Sequence, residues 1–527
     1  MVETHLLSPV QLLQVGMTMP AKISVAARQL LRLLTFCVVI QAACVCSALG
    51  QSSKTDKVVG LKQFVSNGNF DVWNKGIPEN WQIDNGAGSG GEPFSVLTKG
   101  SDGGIEISGD RTTRTWKSLT QKILVESGGT YQINFQAKAS GLKRESGQFD
   151  NCYLGVFSFN AAGKVISQVQ VPISSQQWSD EIAYFVAPQE ATRTEIWIFL
   201  SKTGTLSIKQ ISINPSTKDS FEILVDDMDR NYSYFEHKKV DWKALTAKYR
   251  DQAKTQNPTK FVKVVEKMLA ELRDTHVWLK HNGNTIHTFQ KPNKTNFDLK
   301  GLVRQLKDVK VVRGFCLTGR TADGFGYVLI DSMVGINDQK FMEIANDVHR
   351  LMDSRGLIVD SRVNSGGQEL VGQKLAGMFC EKECVYAIRK IRSGEKHSDF
   401  TQGRKTILRP WRLHNGDKAY TNPIICLQGA GAVSIGEGFT LMMKALPHCT
   451  TLGQPTRGAS GNPSPIKLPN GVEVWYSRWV AMDADGNPIE DAGVAPDVAF
   501  ADEGKGSKIF DKAIEMLEQK IGQTANR

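Results

Sequence analysis

The chain is poor in cysteine, in close-spaced metal ligands, in long apolar runs and in clustered basic charge. Nine cysteines are spread over 527 residues. Cys37, Cys44 and Cys46 lie in the first fifty residues, leaving Cys152, Cys316, Cys380, Cys384, Cys426 and Cys449. Cys380 and Cys384 form the closest local pair, either a disulfide or separate buried thiols. No second close-spaced Cys or His pair accompanies them, which argues against a zinc site. Neither a metal nor another cofactor is expected. No Lys/Arg cluster with interleaved aromatics is present, which argues against nucleic acid as a partner.

After residue 50 no segment is long and apolar enough for a membrane helix, so no span is expected once the leader is removed. Residues 1–50 are expected to be a signal peptide. Lys22, Arg28 and Arg32 supply its charged region, Leu33 to Val45 a short apolar region, and Ala48-Leu49-Gly50 small residues before Gln51. Met17 or Met19 as the true start would shorten the charged region. A periplasmic or secreted location follows, one that permits disulfides. The formal charge is +10, and about +8 without the leader. That balance suits acidic envelope polymers or simply solubility. With 40% hydrophobic and 22% charged residues the chain reads as soluble and globular, and its length calls for roughly two or three cores.

From 58 to 215 strand-like runs recur between turn residues. Tyr131-Gln132-Ile133-Asn134-Phe135-Gln136-Ala137 alternates apolar and polar, as a half-buried strand does. Similar runs are Tyr153 to Phe159, Val165 to Val171, Glu181 to Val186, Thr194 to Leu200 and Leu206 to Ile213. This predicts an all-β antiparallel sandwich. Its opening, Asn67-Gly68-Asn69-Phe70-Asp71 and then Gly76-Ile77-Pro78-Glu79-Asn80-Trp81, resembles the first strands of jelly-roll carbohydrate-binding (galactose-binding-like) modules. A glycan or cell-envelope polymer is therefore the candidate partner of residues 58–215, with Trp73, Trp81, Trp116 and Trp178 as candidate stacking platforms or as core.

The polar segment Asn214 to Lys218 is a natural boundary. Residues 219–298 read as a helical cap: Phe221 to Tyr234 and Trp242 to Asp251 have helical spacing, and Pro258 opens a third helix after Asn257. Phe261, Val264, Val265, Met268, Leu269 and Leu272 give that helix one apolar stripe. Asp274-Thr275-His276 falls at its end, where a cationic histidine would be favoured. A further helical segment is expected at Leu299 to Leu306. Residues 299–505 then read as an α/β core, followed at 506–527 by a helix and tail. Gly356 to Val363 is a buried strand ending in the turn Asn364-Ser365-Gly366-Gly367, whose glycines let backbone N–H groups approach a ligand. Pro423 to Gln428 is a second strand, leading through Gly429 and Gly431 into a helix from Ser434 to Leu446. Ser434 and Glu437 also fit an ordinary capping box.

In this order, Leu272-Arg273-Asp274-Thr275-His276, Asp360 to Gly367, Ser434-Ile435-Gly436-Glu437, Gly453-Gln454-Pro455-Thr456-Arg457-Gly458 and Glu490 to Asp497 resemble the tail-specific, or C-terminal processing, serine peptidases, most closely their tricorn-core-like branch. The resemblance covers roughly residues 220 to 505. It implies a crotonase-like α/β core with a helical cap, behind the jelly-roll sandwich. Relatives often carry a peptide-gripping PDZ domain after the His-bearing helix, but Val277 to Asn296 is too short for one. In the processing branch a lysine base follows the Pro-Thr-x-Gly segment; here that position is Ala459. Lys444 is about 15 Å along the helix from Ser434 and cannot replace it.

The resemblance therefore implies the tricorn-like arrangement: Ser434 as nucleophile, His276 as base, Thr275 as a supporting hydroxyl and Glu490 as the carboxylate. Ile435 N–H and either the Gly366 or the Gly367 N–H would stabilise the oxyanion. The expected function is a serine endopeptidase acting on extracytoplasmic polypeptides. The alternatives are a non-catalytic ligand binder on the same fold, like the family's retinoid-binding relatives, and a polysaccharide-docking protein acting through the sandwich.

Overall fold

The computed structural model describes residues 64–84, 96–110, 118–143, 152–255, 257–292, 297–501 and 507–525. The expected signal peptide and Trp116 lie outside the described residues. Among those described, no helix is long and apolar enough to cross a membrane.

Two five-stranded antiparallel sheets make up the N-terminal region. One runs in the order Ser179–Val186, Thr130–Lys143, Thr203–Pro215, Ile105–Gly109, Val96–Lys99. The other runs Gln82–Asp84, Ser118–Ile123, Arg193–Leu200, Cys152–Phe159, Val165–Pro172. Side chains of a strand alternate between its faces, so Tyr131, Ile133, Phe135, Ala137 and Ala139 all point inward, where they meet Leu154, Val156, Ile196 and Ile198 of the facing sheet. Trp81 belongs to this core, 4% exposed and 5.0 Å from the Phe70 ring. Trp73 is half-buried against it. The Trp178 ring has Lys138 at 4.8 Å and Lys209 at 4.2 Å over it, and its indole N–H donates to Asp102.

The strand Thr203–Pro215 passes through a four-residue connection, ending in the N-cap Asp219, into the helix Ser220–Asn231. The sandwich packs directly on this helix. Tyr184 joins Phe221, Leu224 and Met228 in one apolar cluster, and its hydroxyl donates to Asp226 at 3.0 Å. The helices Trp242–Ala253 and Pro258–Ala270 complete the cap. Asn257 caps the latter through Lys260 N–H, with Pro258 in its first turn where no N–H is needed. Phe261, Val265, Met268 and Leu269 form its buried stripe. A four-stranded sheet that includes Trp278–His281 and Glu473–Tyr476 closes this cluster from below. The next helix is shorter than expected, Leu299–Val303, because Leu306 already begins a strand of the central sheet.

That central sheet has seven strands, in the order Leu306–Val312, Cys316–Thr321, Gly326–Ile330, Leu357–Asp360, Ile424–Gln428, Cys449–Gly453, Val498–Ala499. The first two pairings are antiparallel and the rest parallel. Leu357–Asp360 and Ile424–Gln428 are buried at every position, because helices cover both faces. Leu357 and Val359 meet Ile344, Leu375 and Phe439 on one side, while Ile358 meets Phe510, Ala513 and Leu517 of the C-terminal helix on the other. The loops that follow these two adjacent parallel strands emerge side by side, the usual location for a ligand in such sheets. All six described cysteines are free thiols. Cys380 and Cys384 are hydrogen-bonded neighbours rather than a disulfide, and burial pushes the Cys380 thiol up to about 11.

Candidate active site

Ser434 stands at the N-cap of the helix Ile435–Lys444 with φ 57° and ψ −124°. A serine in that region of backbone space is strained by about 1–3 kcal/mol, and such strain survives only where neighbours hold it. Its N–H donates to the Ala459 carbonyl at 2.9 Å. Its hydroxyl makes no capping bond. The capping box that the Ser434/Glu437 spacing allows does not form, because the fully buried Glu437 turns the other way. It accepts from Thr456 Oγ1 at 2.6 Å, Gly458 N–H at 2.6 Å and Ala459 N–H at 2.9 Å. Burial pushes its carboxyl up and the three donors oppose this. Glu437 thus ties down the very loop whose Ala459 carbonyl holds Ser434.

The strand Leu357–Asp360 delivers the glycine turn to the same place. A Cβ on Gly366 would lie 2.7 Å from the Val433 carbonyl oxygen, 2.9 Å from Ser434 Cβ and 3.0 Å from Ile435 N, so only glycine fits beside the serine. Its φ of 84° makes the same demand. The Gly366 N–H is already taken, donating to Asn364 Oδ1 at 3.0 Å. Among the described residues no protein group accepts from the N–H of Gly367 or of Ile435. Of the two glycines proposed from sequence, Gly367 is therefore the one with a free donor.

His276 is not at the end of its helix. That helix stops at Ala270, and the chain turns through Arg273, at φ 53°, before the strand Trp278–His281 begins. The dipole argument for a cationic imidazole lapses there. His276 is 8% exposed, and burial lowers its pKa below the ordinary imidazole value, with the Asp274 charge opposing. Its backbone N–H donates to Asp274 Oδ1 at 2.7 Å. Asp274 itself is completely buried, its other oxygen accepting from Tyr232 and Ser477 hydroxyls at 2.9 Å each. The His276 Nδ1 and the Thr275 hydroxyl are both buried and without a partner. Two adjacent orphans of this kind are costly unless the site uses them.

Glu490 is not the surface residue that its turn-flanked position would allow. It is 2% exposed, pairs with Lys238 Nζ at 2.9 Å and accepts from Ser460 N–H at 3.2 Å. Burial and the nearby Asp274 charge push its carboxyl well up, while Lys238 pulls it back. Asp274 and Lys238 were not assigned roles from sequence. Lys238 sits in the charged run Glu236-His237-Lys238-Lys239, which reads as a solvated turn, and carries no local signal of burial. Ala459, at the lysine position of the processing branch, is 2% exposed, and Lys444 is bonded away to Ala495 and Asp497. Among the described residues no cluster of potential metal ligands occurs.

The strained turn at Ser434 lies within a stretch that the comparisons match. Residues 324–500 match the pattern of peptidase family S41, and residues 216–270 match the C1 domain of tricorn protease. A solved candidate peptidase from Parabacteroides merdae ATCC 43184 is 29% identical, with 58% of this chain and 97% of that one covered at a TM-score of 0.50. The photosystem II D1 C-terminal processing protease is 14% identical, covering 56% of this chain and 96% of that one, at a TM-score of 0.37. A CBM4 structure is 22% identical, covering 29% of this chain and 99% of that one, at a TM-score of 0.23. No curated protein matches. The S41 pattern over residues 324–500 marks the chain as a serine-type peptidase, with polypeptide as its substrate class.

Proposed function

We propose that the chain is an extracytoplasmic endopeptidase working through Ser434, His276 and Glu490. Serine's hydroxyl is a weak nucleophile until a base takes its proton. His276, kept neutral by burial, would accept the Ser434 proton as Oγ attacks the scissile carbonyl carbon. The carbonyl π electrons move to oxygen, and the oxyanion is met by the free N–H groups of Ile435 and Gly367. Return of the proton from His276 to the departing amine breaks the C–N bond and leaves an acyl-Ser434 ester. Water, deprotonated by the same imidazole, then hydrolyses the ester. Thr275, whose hydroxyl lacks a partner, would carry the support of Glu490 to His276 Nδ1.

The observation that carries this reading is the backbone of Ser434, at positive φ with its hydroxyl free, beside two unpaired amides. The test is labelling with a fluorophosphonate. Wild type should label once per chain, and Ser434→Ala should neither label nor cleave peptides while keeping its Tm. A variant that still cleaves would remove Ser434 from the mechanism.

For residues 58–215 a second reading is favoured by a cleft of about 1120 Å³ whose lining includes Asn67, Asn134, Gln136, Asp180 and Gln210 of the sandwich, with Arg230 from the first cap helix. Amides and carboxylates are groups that bond sugar hydroxyls, so this cleft suits a glycan better than the tryptophans do. Affinity electrophoresis in soluble polysaccharides should show retardation that Gln136→Ala weakens. Equal mobility with and without polysaccharide would leave the sandwich without a glycan role.

A further inference from the structure

Lys238 follows the first cap helix in a short turn, yet its side chain is only 5% exposed. Its ammonium lies 2.9 Å from Glu490 Oε1, 3.0 and 3.2 Å from the two Asp491 oxygens and 3.4 Å from the Arg273 carbonyl. The Tyr234 ring is 5.9 Å away. Glu490 faces Asp274 as well, and the hydroxyls of Tyr232 and Tyr234, bonded to Asp274 and to the Ser460 carbonyl, line the same space. His237 stands outside, 3.4 Å from Asp491, which is 55% exposed. The cluster thus holds two buried carboxylates, Glu490 and Asp274, and the buried ammonium of Lys238.

Two neighbouring buried carboxylates do not both ionise without a cation, because each charge raises the other's pKa. A buried ammonium in turn needs its anions. We propose that Lys238 is a positioning residue of the active site, which anchors Glu490 and keeps it ionised so that it can support Thr275 and His276. This rests on the reading of Glu490 as the supporting carboxylate. A purely structural ion pair would influence stability alone. A positioning pair also sets how fast Ser434 becomes nucleophilic and at which pH.

The rate of fluorophosphonate labelling tests this on the full chain without knowledge of the natural substrate. The saturating rate and the reagent affinity would be measured from pH 5 to 10, a range that spans the imidazole and a raised carboxyl. Lys238→Met should slow the saturating rate at neutral pH by about tenfold or more with affinity unchanged, since only activation is affected. The rate should recover above about pH 8, where a buried glutamic acid deprived of its cation ionises. Lys238→Gln, which fits the site without charge, should give the same profile and carries the test if the methionine variant folds poorly. Glu490→Gln should show the loss without the alkaline recovery, and Lys238→Met/Glu490→Gln should equal Glu490→Gln alone.

A slowed Glu490→Gln beside Lys238 variants with the wild-type profile would overturn the role of Lys238 and leave that of Glu490 standing. So would a double variant whose loss is the product of the two single losses. A Glu490→Gln variant that labels at the wild-type rate would remove the reading of Glu490, and the proposal with it.

Discussion

The sandwich and the catalytic region solve opposite problems with the same chain. In the sandwich, buried polar groups are mostly hydroxyls and amides paired across strands, as with Ser158 and Thr194 at 3.1 Å. In the catalytic region the ionisable side chains of Asp274, Asp360, Arg362, Glu437 and Glu490 are all buried. Each is pinned by several donors or by an ion pair, as Asp360 is by Arg362 at 2.6 Å and by Tyr327 at 2.7 Å. Buried ions rarely add stability over apolar packing, so their concentration around one end of one sheet marks where geometry matters more than stability. Substitutions of equal size should therefore have unequal consequences in the two regions.

The sharpest break is at Gly366. Gly366→Ala would press a methyl on Ser434 and on the amide of Ile435, and should lower kcat/KM by about 10²–10³, the scale of losing an oxyanion donor. Steady-state kinetics with Tm as a control measures it, and a near-normal rate would mean that the cradle can open. Next comes Glu437. Glu437→Ala would leave three donors of the Thr456–Ala459 loop unpaired and should destabilise by about 3–5 kcal/mol, as judged by urea unfolding.

The pH dependence is a smaller, directional effect. His276, the proposed base, can accept a proton only when neutral, so kcat/KM should fall as pH drops through its pKa. Burial lowers that pKa, which places the acidic limb below the ordinary imidazole value of about 6.5. Asp274→Asn removes the charge that opposes this lowering and should move the limb further toward acid. A limb above 6.5 in the wild type would contradict the burial argument.

The smallest effect tests whether the two regions are separable. Tyr184 belongs to the sandwich but packs with the first cap helix, so Tyr184→Phe should cost about 1 kcal/mol through the lost bond to Asp226, leaving kcat/KM unchanged. Tyr184→Ala should cost about 3–5 kcal/mol. A fragment beginning near Asp219 should consequently melt lower than the longer chain, although its sequence suggests a core of its own. Identical melting would make the contact incidental.

Local pattern was enough for much of this. Alternation in Thr130–Lys143, the Asn257–Pro258 helix start and the apolar runs ending at Asp360 and Gln428 are set by side-chain period and backbone sterics, which a sequence displays directly. The order of the motifs brought Ser434, His276 and Glu490 forward as candidates. Nothing local could tell that Glu437 ignores its own helix for the Thr456 loop, because its spacing from Ser434 satisfies a capping box equally well. Nor could spacing decide between Gly366 and Gly367, since the choice turns on Asn364 folding back to claim one amide. Lys238 and Glu490 meet only because the cap settles on the core, and burial there, not the side chain's own preference, turns an ordinary surface lysine into the counter-ion of a carboxylate.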